Sequence, residues 1–232
     1  MNTLTLFHGS EQIIEKPDIA LGKPNNDYGR GFYCTDDPEL AGEWACKRGN
    51  DGFVNKYTID AADLRMLDLE DGEHMVLNWI ALLLKYRTFS LRTEISSAAR
   101  DYLIGQFSVD TSDYDLIRGY RADDSYFRYA EDFVMNSLPL GSLELALRLG
   151  KLGIQTVLVS EQAFDRIEFV EAFSVDASCY YPRFTERDVR ARREYREDVS
   201  RRTAVIDDIF ILDIIREGMK SDDPRIQRIV SR

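Results

Sequence analysis

The residues best suited to chemistry lie in the stretch DYGRGFYCTDDPELAGEWA, from Asp27 to Ala45. Alternation across Gly31–Thr35 predicts a short strand that carries Tyr33 and Thr35 on one face. Glycines beside such a strand let other groups approach the backbone closely. An aromatic ring next to a hydroxyl is suited to holding a flat ligand ring. The alternative is an ordinary strand with a half-buried tyrosine, since short motifs match often by chance.

A second candidate is His8, one of only two histidines in the chain. It follows the predicted strand Leu4–Phe7 and precedes Gly9 and Ser10, so it lies where that strand ends. The alternative is a surface histidine, which is how we interpret His74. No Cys/His spacing typical of a metal site is present, and no metal is expected. Phosphate-binding glycine loops and serine-nucleophile motifs are also missing from the sequence.

Composition indicates a globular protein without a membrane segment. The 232 residues are 44% hydrophobic and 31% charged, which predicts one large domain, or one domain with an appendage. The longest apolar run, Trp79–Leu84, is too short to cross a bilayer, and the N-terminus does not resemble a signal peptide. Three cysteines without metal spacing favour free thiols in a reducing cytoplasm.

The net charge of −11 is unevenly distributed. From Arg183 onward there are 13 basic and 11 acidic residues, which leaves an acidic body with 17 basic against 30 acidic residues. An acidic body disfavours broad binding to nucleic acid, which needs a basic surface. One small anionic ligand, held by a local arginine and backbone amides, remains compatible with this charge.

The elements that must position these residues are short strands with helices between them. The patterns predict six strands: Leu4–Phe7, Gly31–Thr35, Phe53–Ile59, Tyr114–Tyr120, Gln155–Ser160 and Glu168–Val175. They predict seven helices: Pro38–Arg48, His74–Tyr86, Glu94–Phe107, Ser125–Asn136, Ser142–Leu149, Thr185–Arg202 and Val205–Ile215. Strands from both ends of the chain predict an α+β fold around a small, mostly antiparallel sheet.

The C-terminal part differs from the rest in composition. Dense Arg and Glu/Asp over Thr185–Arg202 predict a solvated helix with many i,i+4 pairs. We therefore divide the chain into a domain of residues 1–182 and a charged helical extension of residues 183–232. The amphipathic segment Val205–Ile215 must dock on the body or on a second subunit, which would make a homodimer.

Four sequence blocks, taken in order, carry a family resemblance. They are LFHGS (Leu6–Ser10), DYGRGFYCT (Asp27–Thr35), YDLIRGYRADD (Tyr114–Asp124) and IQTVLVSEQAF (Ile154–Phe164). The chain resembles the ADP-ribosyltransferase superfamily, in the branch with a His-Tyr-Glu triad that includes diphtheria-toxin-like and poly(ADP-ribose)-polymerase-like enzymes. It resembles more closely an uncharacterised prokaryotic family often grouped with that fold, whose blocks read LYHGS, DFGKGFYLT, YDIVIGPVADD and NQISFHTEKAL. The resemblance covers about residues 4–172 and implies a small split sheet with inserted helices.

The resemblance implies a site for NAD, used as a substrate. His8 would bind the ribose hydroxyl of the adenosine half, and the backbone of Gly9 would hold the nicotinamide amide. Ser10 would belong to the same NAD-binding block. Tyr33 would stack on the nicotinamide ring, and Gln155 occupies the position where the superfamily usually has glutamate.

The change to Gln155 bears directly on the chemistry. Cleavage of the nicotinamide–ribose bond develops positive charge on the ribose, which a carboxylate stabilises and a neutral amide can only help to position. Glu161, six residues further along, is a poor substitute for that carboxylate unless the strand ends before it. Arg30, between two glycines, could contact the NAD pyrophosphate or be a solvated loop charge.

Two acidic residues complete the set of candidates. Asp123 and Asp124 could line the acceptor side of the site, bind a cation, or simply cap the helix that follows.

Three functions are therefore open. The first is an ADP-ribosyltransferase acting on a macromolecular target, such as the toxin of a toxin–antitoxin or phage-conflict pair, with a protein target or an antitoxin-like partner. The second is a silent module that binds NAD, ADP-ribose or a protein partner. The third is an NAD glycohydrolase, in which water is the acceptor.

Overall fold

The computed structural model describes residues 3–72, 74–122, 124–149, 153–201 and 208–230. The chain forms two compact units. Unit 1 consists of Met1–Asp68, Asp110–Arg121 and Gly153–Val189, and unit 2 of Leu69–Val109, Ala122–Leu152 and Arg190–Arg232. The boundary predicted after residue 182 stays a prediction.

The described residues form strands and helices that alternate along the chain. The strands are β1 (Thr3–Ser10), β2 (Phe32–Cys34), β3 (Gly52–Asp60), β4 (Met66–Asp68), β5 (Leu116–Tyr120), β6 (Ile154–Leu158) and β7 (Ile167–Val175). The helices are α1 (Pro38–Ala45), α2 (Val76–Tyr86), α3 (Glu94–Phe107), α4 (Asp124–Val134), α5 (Leu140–Leu149), α6 (Glu161–Arg166), α7 (Ala177–Arg201), α8 (Ile211–Glu217) and α9 (Pro224–Val230). A single 3-10 turn lies at Ile19–Leu21.

Both sheets belong to unit 1. The first has the order β1-β3-β7 with antiparallel pairs, and the second has the order β2-β6-β5-β4. In the second sheet β2–β6 and β6–β5 are antiparallel, and β4–β5 is parallel. The prediction of an α+β fold with mostly antiparallel strands is confirmed.

A backbone bridge joins the two sheets. Phe7 in β1 and Thr35, just after β2, exchange two backbone hydrogen bonds of 2.7 and 2.9 Å. His8 follows Phe7 and Cys34 precedes Thr35, so this antiparallel pair places His8 alongside the backbone of β2. Around the junction the inward side chains of both sheets form one buried cluster, which includes Leu6, Phe32 and Tyr57.

Helix α1 begins where its sequence provides a cap and a proline. The side chain of Asp37 accepts hydrogen bonds from the backbone N–H groups of Glu39 and Leu40, which are the unpaired donors of the first turn. Proline at the first position is harmless there. The predicted helix start at Pro38 is confirmed, although the cap is Asp37 and not Thr35 or Asp36, and the helix ends at Ala45, three residues before the predicted Arg48.

Two glycines let α1 lie directly on the first sheet. A Cβ atom on Gly9 in β1 would lie 1.8 Å from the carbonyl oxygen of Ala41, and one on Gly52 would lie 2.9 Å from the Cβ of Ala45. Only glycine fits at a contact this close. The backbone around His8 is therefore held against a helix, which makes the end of β1 a rigid platform.

The described part of unit 2 consists of helices that bury apolar side chains. Helix α2 is an almost continuous apolar run, and it packs against α3, which has the predicted bounds Glu94–Phe107. Helix α8 packs against α3, and α9 packs against α5. Inside this unit the largest fully buried side chains include Trp79, Leu103 and Phe107.

The C-terminal amphipathic segment differs from its prediction. Its residues 205–207 lie outside the described part of the chain, and residues 208–210 are not helical. The helix begins at Ile211 and continues to Glu217, because Asp213 caps the backbone N–H of Phe210. Ile209, Ile211 and Ile214 are buried, and the Ile209 carbonyl accepts a hydrogen bond from the Leu140 N–H of the same unit. The described part of this segment therefore packs against its own chain, which is one of the two predicted possibilities.

One predicted strand is interrupted. Strand β6 ends at Leu158, and Ser160 caps the short helix α6 by accepting a hydrogen bond from the Ala163 N–H. Glu161 therefore begins a helix, and the strand ends early, two residues before the predicted Ser160. None of the described helices combines the length and apolar character that a membrane crossing needs.

Candidate functional site

His8 is held by β2 through the backbone of Tyr33. Its Nδ1 lies 2.7 Å from the Tyr33 carbonyl oxygen, and its ring stacks on Phe32 with a centroid distance of 4.4 Å. Since a carbonyl oxygen only accepts hydrogen bonds, Nδ1 carries the proton. In a neutral ring, Nε2 is then a hydrogen-bond acceptor.

The surroundings of His8 favour its neutral form. Burial lowers the pKa of His8, the hydrogen bond to Tyr33 raises it less strongly, and the charge of Lys47 lowers it further. A neutral imidazole with a proton on Nδ1 can accept a hydrogen bond from a hydroxyl group of a ligand.

Tyr33 is half-buried and braces the turn that precedes its own strand. Its hydroxyl donates a hydrogen bond to the Gly29 carbonyl at 2.7 Å and accepts one from the Tyr28 N–H at 3.0 Å. The turn is closed by the Gly29 N–H on the Asn26 carbonyl, and Gly29 has φ of 81°, which favours glycine. The tyrosine therefore has a structural role in addition to the ring that it presents.

Gln155 is 3% exposed and has its amide group fixed in place. Its Nε2 donates to Asp27 Oδ2 at 2.9 Å and to the Tyr120 carbonyl at 3.2 Å. The same carbonyl accepts a hydrogen bond of 2.7 Å from the Tyr28 hydroxyl. Gln155 is thus tied to the turn that Tyr33 braces.

The register of the second sheet brings Tyr33 and Gln155 to one face. Tyr33 pairs with Val157, and Gln155 is two residues from Val157 on the same strand. Because alternate residues of a strand share a face, all three side chains point to the same side of the sheet. The His8 ring lies beside Phe32, whose side chain points to the other face. The structure therefore joins His8 to Tyr33 through the backbone of Tyr33, and Tyr33 to Gln155 through the turn.

The block that follows His8 is held by Asn55, a fully buried residue of β3. Its Nδ2 lies within hydrogen-bond distance of the His8 carbonyl, the Ser10 hydroxyl and the Gln12 carbonyl, and its Oδ1 accepts from the Ile14 N–H. The Ser10 hydroxyl donates to the Gln12 carbonyl at 2.6 Å. In this structure Gly9 and Ser10 shape the backbone, and their predicted contacts with NAD stay predictions.

Arg30 binds two nearby backbone carbonyls, a role that the sequence does not indicate. Its Nη1 donates to the carbonyls of Ala20 and Gly22, at 2.8 and 2.7 Å, and so holds the 3-10 turn at Ile19–Leu21. A contact with an anion would have to use the other N–H groups of its exposed guanidinium.

The remaining acidic candidates are not brought to Tyr33 by any described contact. Asp123 lies outside the described residues, and Asp124 is the first residue of α4. Glu161 lies in the first turn of α6, where a carboxylate is favoured by the helix dipole.

A second group of charges in unit 1 lies between α1 and the first half of α7. Glu43 contacts Arg187 at 2.6 Å without hydrogen-bond geometry, and both side chains are about 15% exposed. Burial raises the pKa of Glu43, while the charges of Arg187 and Arg121 lower it. Arg121, next to Tyr120, lies over the ring of Trp44 at 4.5 Å. These contacts place a carboxylate, a cation and an aromatic ring next to the end of β5, where the Tyr120 carbonyl accepts a hydrogen bond from Gln155.

Sequence analysis misses Asp27, Tyr28 and Asn55 as site residues. Asp27 and Tyr28 are the first two letters of the DYGRGFYCT block, so their position within the block was a usable signal. Asn55 lies on the apolar face of a strand with alternating residues. A polar residue at such a position indicates a buried side chain with specific hydrogen bonds, and this signal could have identified it. Within the described part of the chain, no group of three or more His, Cys, Asp and Glu side chains is arranged to hold a metal ion.

Comparison with known proteins gives one result. Residues 4–169 match the model of a family described as "Protein of unknown function (DUF3990)". Neither the curated proteins nor the solved structures contain a match to the chain. The matched range holds His8, Tyr33, Asn55 and Gln155, and it covers well over half of the sequence. By this match the chain belongs to the DUF3990 family.

Proposed function

We propose that the chain is an NAD-dependent mono-ADP-ribosyltransferase of the ADP-ribosyltransferase superfamily. One observation carries the proposal: the three residues that the resemblance singles out, which are far apart in the sequence, converge on β2. His8 Nδ1 is 2.7 Å from the Tyr33 carbonyl, and Tyr33 shares a sheet face and a bracing turn with Gln155. Convergence of such distant polar residues is expected for a binding site.

The proposed reaction follows from these groups. The bond between the nicotinamide nitrogen and the ribose breaks, and the nicotinamide leaves with the electron pair. A nucleophile of the target forms the new bond to the ribose carbon and loses its proton. The Tyr33 ring would hold the flat leaving group, and His8 Nε2 would accept a hydrogen bond from a ribose hydroxyl. Gln155 Oε1 would accept a hydrogen bond from a second hydroxyl and so orient the sugar.

A second function, the silent NAD-binding module, is favoured by one specific feature. Gln155 is neutral, and both hydrogens of its Nε2 already point at acceptors of the protein. It cannot stabilise positive charge as strongly as a carboxylate at the same position. The silent module predicts that NAD raises the melting temperature without release of nicotinamide.

The test compares two substitutions of Tyr33 in an assay of nicotinamide release. Tyr33→Phe keeps the ring and removes the hydroxyl that braces the turn, while Tyr33→Leu removes both. The loss of stability should be similar in the two variants. Because only Leu lacks a ring to stack on nicotinamide, Tyr33→Leu should release nicotinamide about 10- to 100-fold more slowly than Tyr33→Phe. Equal rates in the two variants would contradict a stacking role.

The fate of a label in the ADP-ribose part of NAD separates the functions. Label bound to a protein in a lysate supports a transferase, and free ADP-ribose supports the glycohydrolase. No release, together with stabilisation by NAD, supports the silent module. A protein target, an antitoxin-like partner and a dimer through Val205–Ile215 are further proposals. The net charge of −11 favours a protein over a nucleic acid as the target.

A further inference from the structure

The side chains of Asp27 and Gln155 form a buried pair that connects residues 128 positions apart. Asp27 is 5% exposed and Gln155 is 3% exposed. A buried carboxylate is costly unless it is hydrogen-bonded, and a buried amide is costly unless its donors are satisfied. The contact of 2.9 Å between Oδ2 and Nε2 meets both needs at once. The two residues therefore depend on each other.

The pair also decides which way the Gln155 amide points. The two groups to which the amide donates, Asp27 Oδ2 and the Tyr120 carbonyl oxygen, are both acceptors. Only the nitrogen end of the amide can face them, since the flipped amide would place oxygen against two oxygens. Oε1 is then directed away from both groups, and the described residues give it no hydrogen-bond partner.

The turn that carries Asp27 is itself attached on both sides. The Tyr28 N–H donates to the Tyr33 hydroxyl, and the Tyr28 hydroxyl donates to the Tyr120 carbonyl, which also faces Gln155. Through Tyr28, the backbone next to Asp27 is thus attached to both β2 and β5. The backbone that carries the Asp27 carboxylate cannot move away from Gln155 without breaking these contacts.

We infer that Asp27 is the positioning residue of Gln155 and holds the negative charge of the site, with Gln155 Oε1 presented to the ligand. The charge that the superfamily usually carries at position 155 is supplied here from position 27. This inference rests on the proposed function and adds a residue to its site.

The inference makes an unexpected prediction for the substitution that restores the glutamate of the superfamily. In Gln155→Glu, a carboxylate faces the Asp27 carboxylate and the Tyr120 carbonyl, so no donor remains between three acceptors. Two adjacent like charges in a buried place repel each other, so the variant should be less stable than the wild type. The melting temperature should fall by about 5 °C at pH 8, and the loss should shrink as the pH falls and a proton is bound. Nicotinamide release should fall about 10-fold rather than increase.

Two further variants complete the experiment. Asp27→Asn keeps a hydrogen bond to Gln155, because its amide can turn Oδ1 toward Nε2, but it removes the charge. Its melting temperature should stay within about 2 °C of that of the wild type, while kcat falls about 10-fold with little change in KM. The exchanged pair Asp27→Asn with Gln155→Glu places a donor opposite a carboxylate again. It should recover most of the melting temperature and part of the activity that Gln155→Glu loses. The recovery should be incomplete, because the Tyr120 carbonyl still faces a carboxylate oxygen at position 155.

The outcomes separate the inference from the proposed function. Additive losses in the exchanged pair, or a Gln155→Glu variant that is more active than the wild type, would overturn the inference. A normal kcat in Asp27→Asn would overturn the role of its charge. If the wild type releases no nicotinamide, the proposed function fails, and the melting temperatures of the four proteins still decide whether the two side chains are coupled.

Discussion

The buried polar side chains of the described residues are unevenly divided between the two units. In unit 1 they are Asp27, Thr35, Asn55, Gln155 and Thr156, and in unit 2 they are Ser96 and Ser142. Ser96 belongs to a capping box at the start of α3, where its hydroxyl and Thr93 satisfy each other's backbone. The polar groups of unit 1 instead join separate strands and loops, as Asn55 and Gln155 do.

This difference indicates where function and stability reside. A helical unit with an apolar core gains stability from burial and tolerates few polar groups. A satisfied polar network costs more to build, but it fixes the positions of individual side chains. Unit 1 therefore has the arrangement expected of a site, and unit 2 has that of a scaffold. The predictions below test this division.

The largest expected effect on stability comes from unit 2. Leu103 in α3 is fully buried, so Leu103→Ala should lower the free energy of unfolding by about 3 kcal/mol. Urea unfolding measures this loss. The matched control on the same helix is Ile95→Ala, at a residue that is 39% exposed, and it should cost much less. Nicotinamide release per folded molecule should be unchanged in both, and a specific loss of release in Leu103→Ala would break the comparison.

A smaller loss of stability is expected in unit 1, together with a loss of activity. Asn55→Leu removes the side chain that holds the block from His8 to Ile14, and it leaves buried backbone groups without their partner. The free energy of unfolding should fall by about 2 kcal/mol, and nicotinamide release should fall more than the loss of folded protein explains.

Lys56 is a suitable control for Asn55, because it is the next residue of β3 and points to the other face. Its ammonium forms a partly exposed ion pair with Glu171 at 2.9 Å, which contributes little to stability. Lys56→Gln should keep both stability and activity. Normal activity in folded Asn55→Leu would show that the network around His8 is not needed for function.

The smallest expected effect is a dependence of stability on pH. Because burial lowers the pKa of His8, the unfolded chain binds a proton at higher pH than the folded chain. The contribution of His8 is therefore fully present above the ordinary histidine pKa of about 6.5, and it is lost as the pH falls through the folded value. The difference in melting temperature between wild type and His8→Asn should narrow between pH 7.5 and pH 5.5.

Two features of this measurement make it specific. The raised pKa of Glu43 acts in the opposite direction, because its contribution to stability is lost as the pH rises. The change of the wild-type melting temperature with pH therefore contains the effects of both His8 and Glu43. The difference from His8→Asn cancels Glu43, which both proteins contain, and His74→Gln is the matched control that removes a histidine outside the site. A constant difference across the range would contradict a neutral His8 in the folded protein.

Sequence patterns predict the elements well where local signals agree. Helix α3 has its predicted bounds, because an N-terminal Thr93 cap and apolar periodicity coincide there. Patterns fail where a few residues change the path of the chain. The three-residue strand β4 and the single-turn helix α6 are too short to produce a period, and β4 is defined only by its pairing with β5.

The sequence by itself determined the α+β class, the strand that carries Tyr33, and the position of His8 near the end of the first strand. These follow from period, spacing and residue type, which are local properties, whereas Gln155 was singled out by the family resemblance. Only the tertiary structure decided that Asp27 holds the Gln155 amide, that Asn55 holds the backbone after His8, and that Arg30 binds two carbonyls. Each of these contacts depends on which of several acceptors the folded backbone brings within about 3 Å of a donor, and hydrogen bonds form only over such distances.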